Sequence, residues 1–317
     1  NGRAPFASRF PPCRRQAATR FRRARRAFTV PWEIELKLAT ISLDGAAVAA
    51  IIDEKAGRAF PLGSDMLSVI RSGARPQVSG EGVPLSSASL LAPIPRPERN
   101  IFCVGKNYHA HAREFTQSGF DSSAKDESET IPTAPIIFSK LPDCVIANEA
   151  PMLYPTGVSD KIDYEAELAL VIGKGGRGIR KADAYSHVFG YMIVNDMTAR
   201  DLQADHKQWL IGKSLDTFCP MGPYLVTADA VDVENLNVRC WVNDELRQDA
   251  NTSDLIFDIP TLIEALSAGI TLFPGDIIAT GTPAGVGIGF KPPRYLSRGD
   301  RVTVEIDGLG RLSNILD

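Results

Sequence analysis

Three carboxylates stand directly before a strongly apolar run of the sequence. Asp163, Glu165 and Glu167 occur in IDYEAELALVIG, and the five residues after Glu167 are all aliphatic. A continuous, partly β-branched run that ends at a glycine is typical of a core strand covered on both faces. Because side chains alternate along a strand, the three carboxylates share one face and Tyr164 lies on the other. Carboxylates crowded beside a core repel one another and lose hydration, so we expect a positive charge to be bound there.

A fourth acid, Asp196, follows the apolar run GYMIVN. An acid at the carboxyl end of a strand opens onto a loop, where sites are commonly built. Oxygens from Glu165, Glu167 and Asp196, completed by waters, make a hard site suited to Mg²⁺, Mn²⁺ or Ca²⁺. The alternative is that each acid pairs with a lysine or arginine at the surface. The buried strand that follows Glu167 favours the metal site, because an uncompensated buried charge is costly.

The segment GKNYHAHAREF supplies two of the four histidines. His109 and His111 form an HxH pair, but no third soft ligand lies nearby, which argues against zinc. If the segment is helical, His111 and Glu114 share a face, and the carboxylate can orient the imidazole as a general base. The alternative is an ordinary surface hydrogen bond between the two side chains.

Two further segments carry polar groups next to apolar residues. Lys213 follows an apolar turn in WLIGKSLDTFCPMGP, so its ammonium could bind an anionic group or polarise a carbonyl. The alternative is a buried ion pair with Asp216. TGTPAGVGIGF is rich in glycine but is followed by KPP, where a dinucleotide-binding fold needs a helix, so we reject it as a nucleotide site. Thr282 in this segment could still line a pocket.

Composition excludes several classes of protein. The chain has 317 residues, 44% hydrophobic and 23% charged, with a net charge of -3, so no basic surface indicates nucleic-acid binding. No apolar run approaches the roughly 20 residues that cross a bilayer, and we expect a soluble protein that binds no membrane. The five cysteines form no CxxC pair, which suits small buried hydrophobes in a reducing compartment such as the cytoplasm.

Three regions are predicted along the chain. Residues 1–36 form an Arg-rich extension, whose first 32 residues hold nine arginines and no acidic residue. It is either disordered or upstream sequence, or a transit peptide that would place the protein in an organellar matrix. Residues 37–97 form a small N-terminal domain and a proline-rich linker, and residues 98–317 form the catalytic domain. Short strand-like runs outnumber helices, so the predicted fold is α+β and mostly β. Residues 115–133 are predicted to be a loop, either a lid or a disordered excursion.

Six spaced motifs, taken together, resemble the fumarylacetoacetate hydrolase family over about residues 98–317. They are NYxxHxxE, DYEAELALVIG, NDMTARDLQ, GKSLDTFCPMGP, VNDELRQ and GDIIATGTPAGVG. The resemblance implies a β-rich catalytic core like the C-terminal domain of fumarylacetoacetase, preceded by a small domain, and a homodimer.

The same resemblance implies roles for particular residues. Glu165, Glu167 and Asp196 match the ligands of Mg²⁺ or Mn²⁺, and His111 with Glu114 matches a catalytic dyad, whereas His109 falls outside the motif. The remaining matches are the catalytic Lys213 and the substrate-binding residues Tyr108, Arg200, Gln203 and Thr282.

The activity expected first is hydrolysis of a carbon–carbon bond in an acylpyruvate such as fumarylpyruvate, as in aromatic catabolism. The dyad would activate water, and the metal and Lys213 would stabilise a pyruvate-type enolate. Decarboxylation of a 2-oxo diacid such as oxaloacetate, and isomerisation or hydration of a 2-hydroxydienoate, need the same enolate stabilisation and stay open. A metal-clamped binding protein without activity is the alternative outside the enzymes.

Overall fold

β-Strands dominate the fold, as the sequence predicts. The computed structural model describes residues 36–119 and 130–317. The strands of this part of the chain are β1 (Lys37–Leu43), β2 (Ala46–Asp53), β3 (Arg58–Pro61), β4 (Val83–Pro84), β5 (Ser89–Leu91), β6 (Ile101–Gly105), β7 (Ile136–Lys140), β8 (Val145–Ile146), β9 (Ile162–Asp163), β10 (Ala166–Ile172), β11 (Val188–Asn195), β12 (Thr198–Ala199), β13 (Cys219–Thr227), β14 (Asn237–Val242), β15 (Glu245–Asn251), β16 (Ile277–Ala279), β17 (Arg301–Ile306) and β18 (Gly310–Ile315). The α-helices are α1 (Met66–Ser72), α2 (His109–Gln117), α3 (Arg200–Asp205), α4 (Leu210–Lys213) and α5 (Ile259–Ser267).

A twelve-stranded sheet forms the centre of the molecule. Ten strands follow the order β4-β3-β2-β1-β13-β11-β10-β16-β6-β7, and β5 and β8 pair with β1 and β13. A four-stranded sheet, β15-β14-β17-β18, and the short pair β12-β9 complete the β-structure of the described residues. Most neighbours are antiparallel, whereas β16 runs parallel to β6 and β8 parallel to β13.

Strands from both sides of residue 97 belong to this one sheet. β1 pairs with β13 at Lys37↔Val226 and Leu38↔Leu225. The described residues also lie in one compact unit. The division of the chain at residue 97 stays a prediction, but the segment before it is joined to the rest through backbone hydrogen bonds.

β10 is the doubly covered strand that the apolar run predicts. All seven of its residues are buried. Leu168 and Leu170 point into one apolar cluster, and Ala169 and Val171 point into a second cluster on the opposite face of the sheet. This alternation leaves Glu167 on the face of Ala169, near the start of the strand, where the apolar residues of that face have not yet begun.

The helices agree with the sequence signals, with one correction. The segment DIPTLIEALSAG has helical spacing and a glycine stop, which predicts a helix capped by Asp258. α5 begins after Asp258, whose side chain accepts a hydrogen bond from the backbone N–H of Thr261, as predicted. α2 continues to Gln117, so the predicted loop at 115–133 was wrong at its start, because Phe115 is buried on the inner face of the helix. Residues 120–129 of that loop, and the extension at 1–35, lie outside the described residues.

Two smaller observations bear on the expected class of protein. None of the helices in the described ranges combines the length and apolar character needed to cross a bilayer. The cysteines within those ranges are all free and buried, as expected for small buried hydrophobes, namely Cys103, Cys144, Cys219 and Cys240.

Candidate active site and metal centre

The pairing of β10 with β11 brings the acids of two distant motifs together. The strands are antiparallel, with Ala166 opposite Asn195, so the start of β10 adjoins the end of β11. The backbone N–H of Asp196 donates to the carbonyl of Glu165 over 2.9 Å. The backbone N–H of Glu165 donates in turn to the side chain of Asn195 over 3.0 Å. This local network fixes the two acids on adjacent strands.

Glu165, Glu167 and Asp196 form a buried cluster of three carboxylates. One oxygen from each lies within 4.8 Å of the others. Burial, followed by the negative charges of Asp196 and Glu165, raises the pKa of Glu167 well above its usual value. Three converging carboxylate oxygens with such mutual repulsion fit a hard divalent cation, which would offset their charge.

Lys213 reaches this cluster from α4. Its Nζ lies 2.6 Å from Glu165 Oε2 and 2.8 Å from Asp196 Oδ2. Its ion-pair partners are therefore the acids of the cluster, and among the described contacts it makes no ion pair with Asp216. Burial disfavours the charged form of Glu165, but the charges of Lys213 and Arg200 outweigh burial and lower its pKa to about 2.

Asp163 is not part of the carboxylate cluster and instead accepts hydrogen bonds from neighbouring groups. It accepts hydrogen bonds from Arg200 Nε over 2.8 Å and from the backbone N–H groups of Gly287 and Ile288 over 2.6 and 3.0 Å. Arg200 then reaches Glu165 Oε1 through Nη1 over 2.7 Å. The positive charge expected among the three carboxylates is thus a buried arginine, which forms ion pairs with both Asp163 and Glu165.

Arg200 also faces the cavity beside the carboxylates. Its Nη1 donates to Gln203 Oε1 over 3.1 Å, which joins the two predicted substrate residues. Its Nη2 is buried and has no hydrogen-bond partner among the described residues. A buried cationic donor without an acceptor is costly, so this atom is suited to an anionic ligand.

The predicted dyad forms on the first two turns of α2. His111 Nδ1 lies 3.2 Å from Glu114 Oε2, and both side chains are largely buried. The backbone N–H of Gly285 donates to Glu114 Oε1 over 3.0 Å, which fixes the carboxylate. His109 is exposed on the outer side of the same helix. The structure thus separates the two histidines of the HxH pair.

The glycine-rich segment after β16 binds carboxylates rather than a nucleotide. Its backbone N–H groups at Gly281, Gly285 and Gly287 donate to Glu167, Glu114 and Asp163 in turn. Gly281 and Gly285 have φ angles of 103° and 102°, a region that glycine adopts without strain. The sequence could not assign these carboxylate partners to the segment, because they are distant in the chain.

Glu165 and Glu167 of the cluster and His111 of the dyad line one small cavity of about 20 Å³. Seven of the predicted site residues line this cavity, namely His111, Glu165, Glu167, Arg200, Gln203, Lys213 and Thr282. Phe115, Phe138 and Trp209 close another side, with Phe138 and Trp209 edge to face at 5.1 Å. This apolar wall limits water around the polar groups, which strengthens their electrostatic interactions.

Two predicted substrate residues occupy different positions relative to this cavity. Thr282 lines it, and its Oγ1 accepts a hydrogen bond from Gln248 Nε2 over 2.8 Å. Tyr108 is buried next to α2 but does not line the cavity, and its hydroxyl has no hydrogen-bond partner among the described residues. Burial, and then the charge of Glu167, raises the pKa of Tyr108. The substrate-binding role of Tyr108 stays a prediction.

Sequence reasoning missed two lysines of the site. Lys140 is fully buried on β7, and its Nζ lies 2.7 Å from Asp196 Oδ1. Burial opposes its charged form, but Asp196 raises its pKa. Lys106 is buried in the cavity wall with a φ angle of 54°, which is uncommon for a residue other than glycine. A signal for Lys140 was its place in IIFSK, where alternation puts it on the same face as Phe138.

Comparison with known proteins identifies the family. Residues 100–316 match the family described as fumarylacetoacetate (FAA) hydrolase, C-terminal. The chain belongs to the fumarylacetoacetate hydrolase family. The six motifs of the sequence therefore mark a true relationship, and the mostly β fold is the fold of this family.

Three relatives illustrate the range of the fumarylacetoacetate hydrolase family. Oxaloacetate tautomerase YisK of Bacillus subtilis is 54% identical over 231 residues, 73% of each chain. Oxaloacetate tautomerase FAHD2B, mitochondrial, of Bos taurus is 43% identical over 255 residues, 80% of this chain and 76% of the relative. The structure of fumarylacetoacetate hydrolase from Exiguobacterium antarcticum is 39% identical, with a TM-score of 0.75 over 89% of this chain and 99% of that one.

Proposed function

We propose that this enzyme interconverts the enol and keto forms of oxaloacetate. The observation that carries the proposal is a single cavity lined by a carboxylate-oriented imidazole, an ammonium group and two of the three converging carboxylates. This arrangement suits the removal and return of a proton next to the carbonyl of a 2-oxo acid. Relatives that are 54% and 43% identical are named oxaloacetate tautomerases, which supports oxaloacetate as the substrate.

Tautomerisation needs one proton moved at the methylene carbon and one at the oxo oxygen. We assign the proton at carbon to His111, whose Nδ1 is engaged by Glu114. In the enol-to-keto direction the enol oxygen gives up its proton to water, and His111 delivers a proton to carbon and is resupplied from water. Lys213 supplies a fixed positive charge for the oxygen that becomes negative. Arg200, with its unpaired Nη2, is suited to a substrate carboxylate. Each of these groups is held by a second residue, so little reorganisation accompanies the reaction.

The cation of this site would be Mg²⁺ or Mn²⁺, held by Glu165, Glu167 and Asp196. When bound, such an ion would supply Lewis acidity toward a 2-oxo acid. The all-carboxylate donor set, with no sulfur or imidazole among its three members, supports a hard ion.

The sequence favoured hydrolysis of an acylpyruvate, because the dyad can activate water. The same dyad can move a proton at carbon, so its presence does not select hydrolysis. The names of the relatives favour the alternative reading, in which the substrate is oxaloacetate, and we therefore propose tautomerisation ahead of acylpyruvate hydrolysis.

The test follows enol-oxaloacetate by its ultraviolet absorbance with Mg²⁺ present. We expect the enzyme to accelerate loss of the enol, EDTA to abolish the acceleration, and circular dichroism to stay unchanged on chelation. Folded protein that is inactive with every metal would support a metal-clamped binding protein instead.

Pyruvate release is measured in parallel from oxaloacetate, acetylpyruvate and fumarylpyruvate. Fast release from an acylpyruvate would overturn the proposal in favour of a hydrolase, and fast release from oxaloacetate in favour of a decarboxylase.

The proposal also covers the oligomeric state of the protein and its cellular compartment. We infer a homodimer from the resemblance stated above, which light scattering of the purified chain would test. A relative is named mitochondrial, which supports the organellar option over the cytoplasm if residues 1–32 act as a transit peptide. Fusing residues 1–36 to a fluorescent protein would test that option.

A further inference from the structure

Lys140 is the buried cation of the site that no motif assigned. Its side chain is fully buried, and its Nζ contacts three acceptors. They are Asp196 Oδ1 at 2.7 Å, the carbonyl of Met197 at 3.1 Å and the carbonyl of Lys213. The two carbonyls accept hydrogen bonds from this Nζ, whereas Asp196 Oδ1 faces it as the anionic partner of an ion pair without hydrogen-bond geometry. The ammonium is therefore held in one position by groups from two elements of the site.

The contact with Asp196 distinguishes the two oxygens of that carboxylate. Oδ1 faces Lys140, whereas Oδ2 faces Lys213, whose Nζ also contacts Glu165. Oδ2 therefore lies on the side of Glu165, with whose Oε2 it shares the Lys213 ammonium. The lysine thus determines which atom Asp196 offers to a cation.

The contact with the backbone of Lys213 fixes a second component. Lys213 is the last residue of α4, and the final carbonyls of a helix have no partner within the helix. Lys140 donates to this carbonyl, a common way for a lysine to satisfy a helix C-terminus. The position of the Lys213 main chain, from which its own ammonium extends to the carboxylates, is thereby tied to Asp196.

We propose that Lys140 is a positioning residue of the metal centre. It orients Asp196 so that Oδ2 is presented to the cation, and it sets the distance between Asp196 and Lys213. This inference rests on the cation site of the proposed function. A purely structural ion pair would join any two packed elements, whereas the three acceptors here are a carboxylate of the cluster, the residue after it and Lys213.

The test is calorimetric titration of the full chain with Mg²⁺, comparing wild type, Lys140→Met and Lys140→Arg. We expect Lys140→Met to bind Mg²⁺ about tenfold more weakly, as is usual when an outer partner of a metal ligand is removed. The direction of the change in Mg²⁺ affinity distinguishes an effect of charge from an effect of orientation. Removing a cation from an acidic site would by charge alone tighten Mg²⁺ binding, so weaker binding reports lost orientation. Unchanged or tighter binding by folded Lys140→Met would overturn the proposal.

Lys140→Arg covers the case in which Lys140→Met does not fold. It keeps the charge but moves the donors, so a positioning role predicts weaker Mg²⁺ binding, and wild-type affinity in the folded variant would overturn that role. Lys181→Met is the matched control, because Lys181 pairs with Asp258 at 2.9 Å on the surface. It should bind Mg²⁺ as wild type does.

The titration needs no oxaloacetate, so it tests the role of Lys140 independently of the proposed tautomerase reaction. Wild-type Mg²⁺ binding without tautomerase activity would overturn the proposed reaction and leave the role of Lys140 standing. Tautomerase activity in the wild type, with full Mg²⁺ affinity in Lys140→Met, would overturn only the role of Lys140. In active variants, a positioning role also predicts a fall in kcat with little change in KM.

Discussion

His111 is the residue on which the proposed chemistry depends most directly. Its Nδ1 is held by Glu114, and it lines the cavity with the carboxylates. We expect His111→Gln to lower kcat for enol–keto conversion by about 10²-fold or more, the usual contribution of a general acid–base group. The matched control is His109→Gln, since His109 is exposed on the same helix. Equal losses in the two variants would show that the helix, rather than the dyad, had been disturbed.

Gly289 provides a second test at the scale of one residue. A Cβ atom at this position would lie 2.0 Å from Glu114 Oε1, closer than any real contact. Gly289→Ala should therefore displace the Glu114 carboxylate and lower kcat about tenfold or more, because misplaced catalytic groups are costly. Gly269→Ala is the control, since a Cβ there meets nothing within 4 Å. Wild-type kcat in Gly289→Ala would show that Glu114 does not need its present position.

At the scale of elements, the cap of α5 links pH to stability. Burial opposes ionisation of Asp258, but hydrogen bonds from Thr261 and the contact with Lys181 lower its pKa below the ordinary value of 3.8. A lowered pKa contributes stability that is present above the unfolded pKa and is lost as pH falls through the folded value. We expect Asp258→Ala to reduce the free energy of unfolding by about 1 kcal/mol at neutral pH.

The pH dependence of that difference distinguishes charge from capping geometry. Urea unfolding of the wild type and Asp258→Ala should give a smaller difference at about pH 3 than at about pH 7, since the wild-type carboxylate begins to protonate. Asp258→Ser retains a capping oxygen without charge, so its stability relative to Asp258→Ala should vary little with pH. A constant difference between wild type and Asp258→Ala would contradict the assignment.

Several helices and strands could be predicted from the sequence, whereas the side-chain and backbone contacts between them could not. The apolar run after Glu167 and the cap at Asp258 are local patterns, and both predictions are confirmed. The glycine-rich segment donates hydrogen bonds to three carboxylates, and each of these bonds joins residues more than 100 positions apart. Such contacts depend on strand order, which no local pattern encodes. Lys140 was missed for the same reason, because its acceptors lie 57 and 73 residues away.

At the scale of the whole molecule, the segment before residue 97 contributes to the same core as the catalytic residues. Ile41 of β1 packs in one apolar cluster with Leu168, and Leu38 packs in the other with Val194. β10 is covered by both clusters, so the strand that leads to Glu167 is supported by apolar residues from both parts of the chain. The site's position is therefore a property of the complete sheet.

This arrangement predicts that residues 98–317 do not fold alone. Without β1, the edge of β13 loses its backbone pairing at Leu225 and Val226, and unpaired apolar edges promote aggregation. We expect a chain of residues 98–317 to be insoluble or to unfold without cooperativity, whereas residues 36–317 should unfold cooperatively and bind Mg²⁺. Soluble yield, thermal unfolding and Mg²⁺ titration of both chains provide the comparison. A cooperative transition of residues 98–317 near that of residues 36–317 would instead establish an independent catalytic domain, with the boundary where the proline-rich segment predicts it.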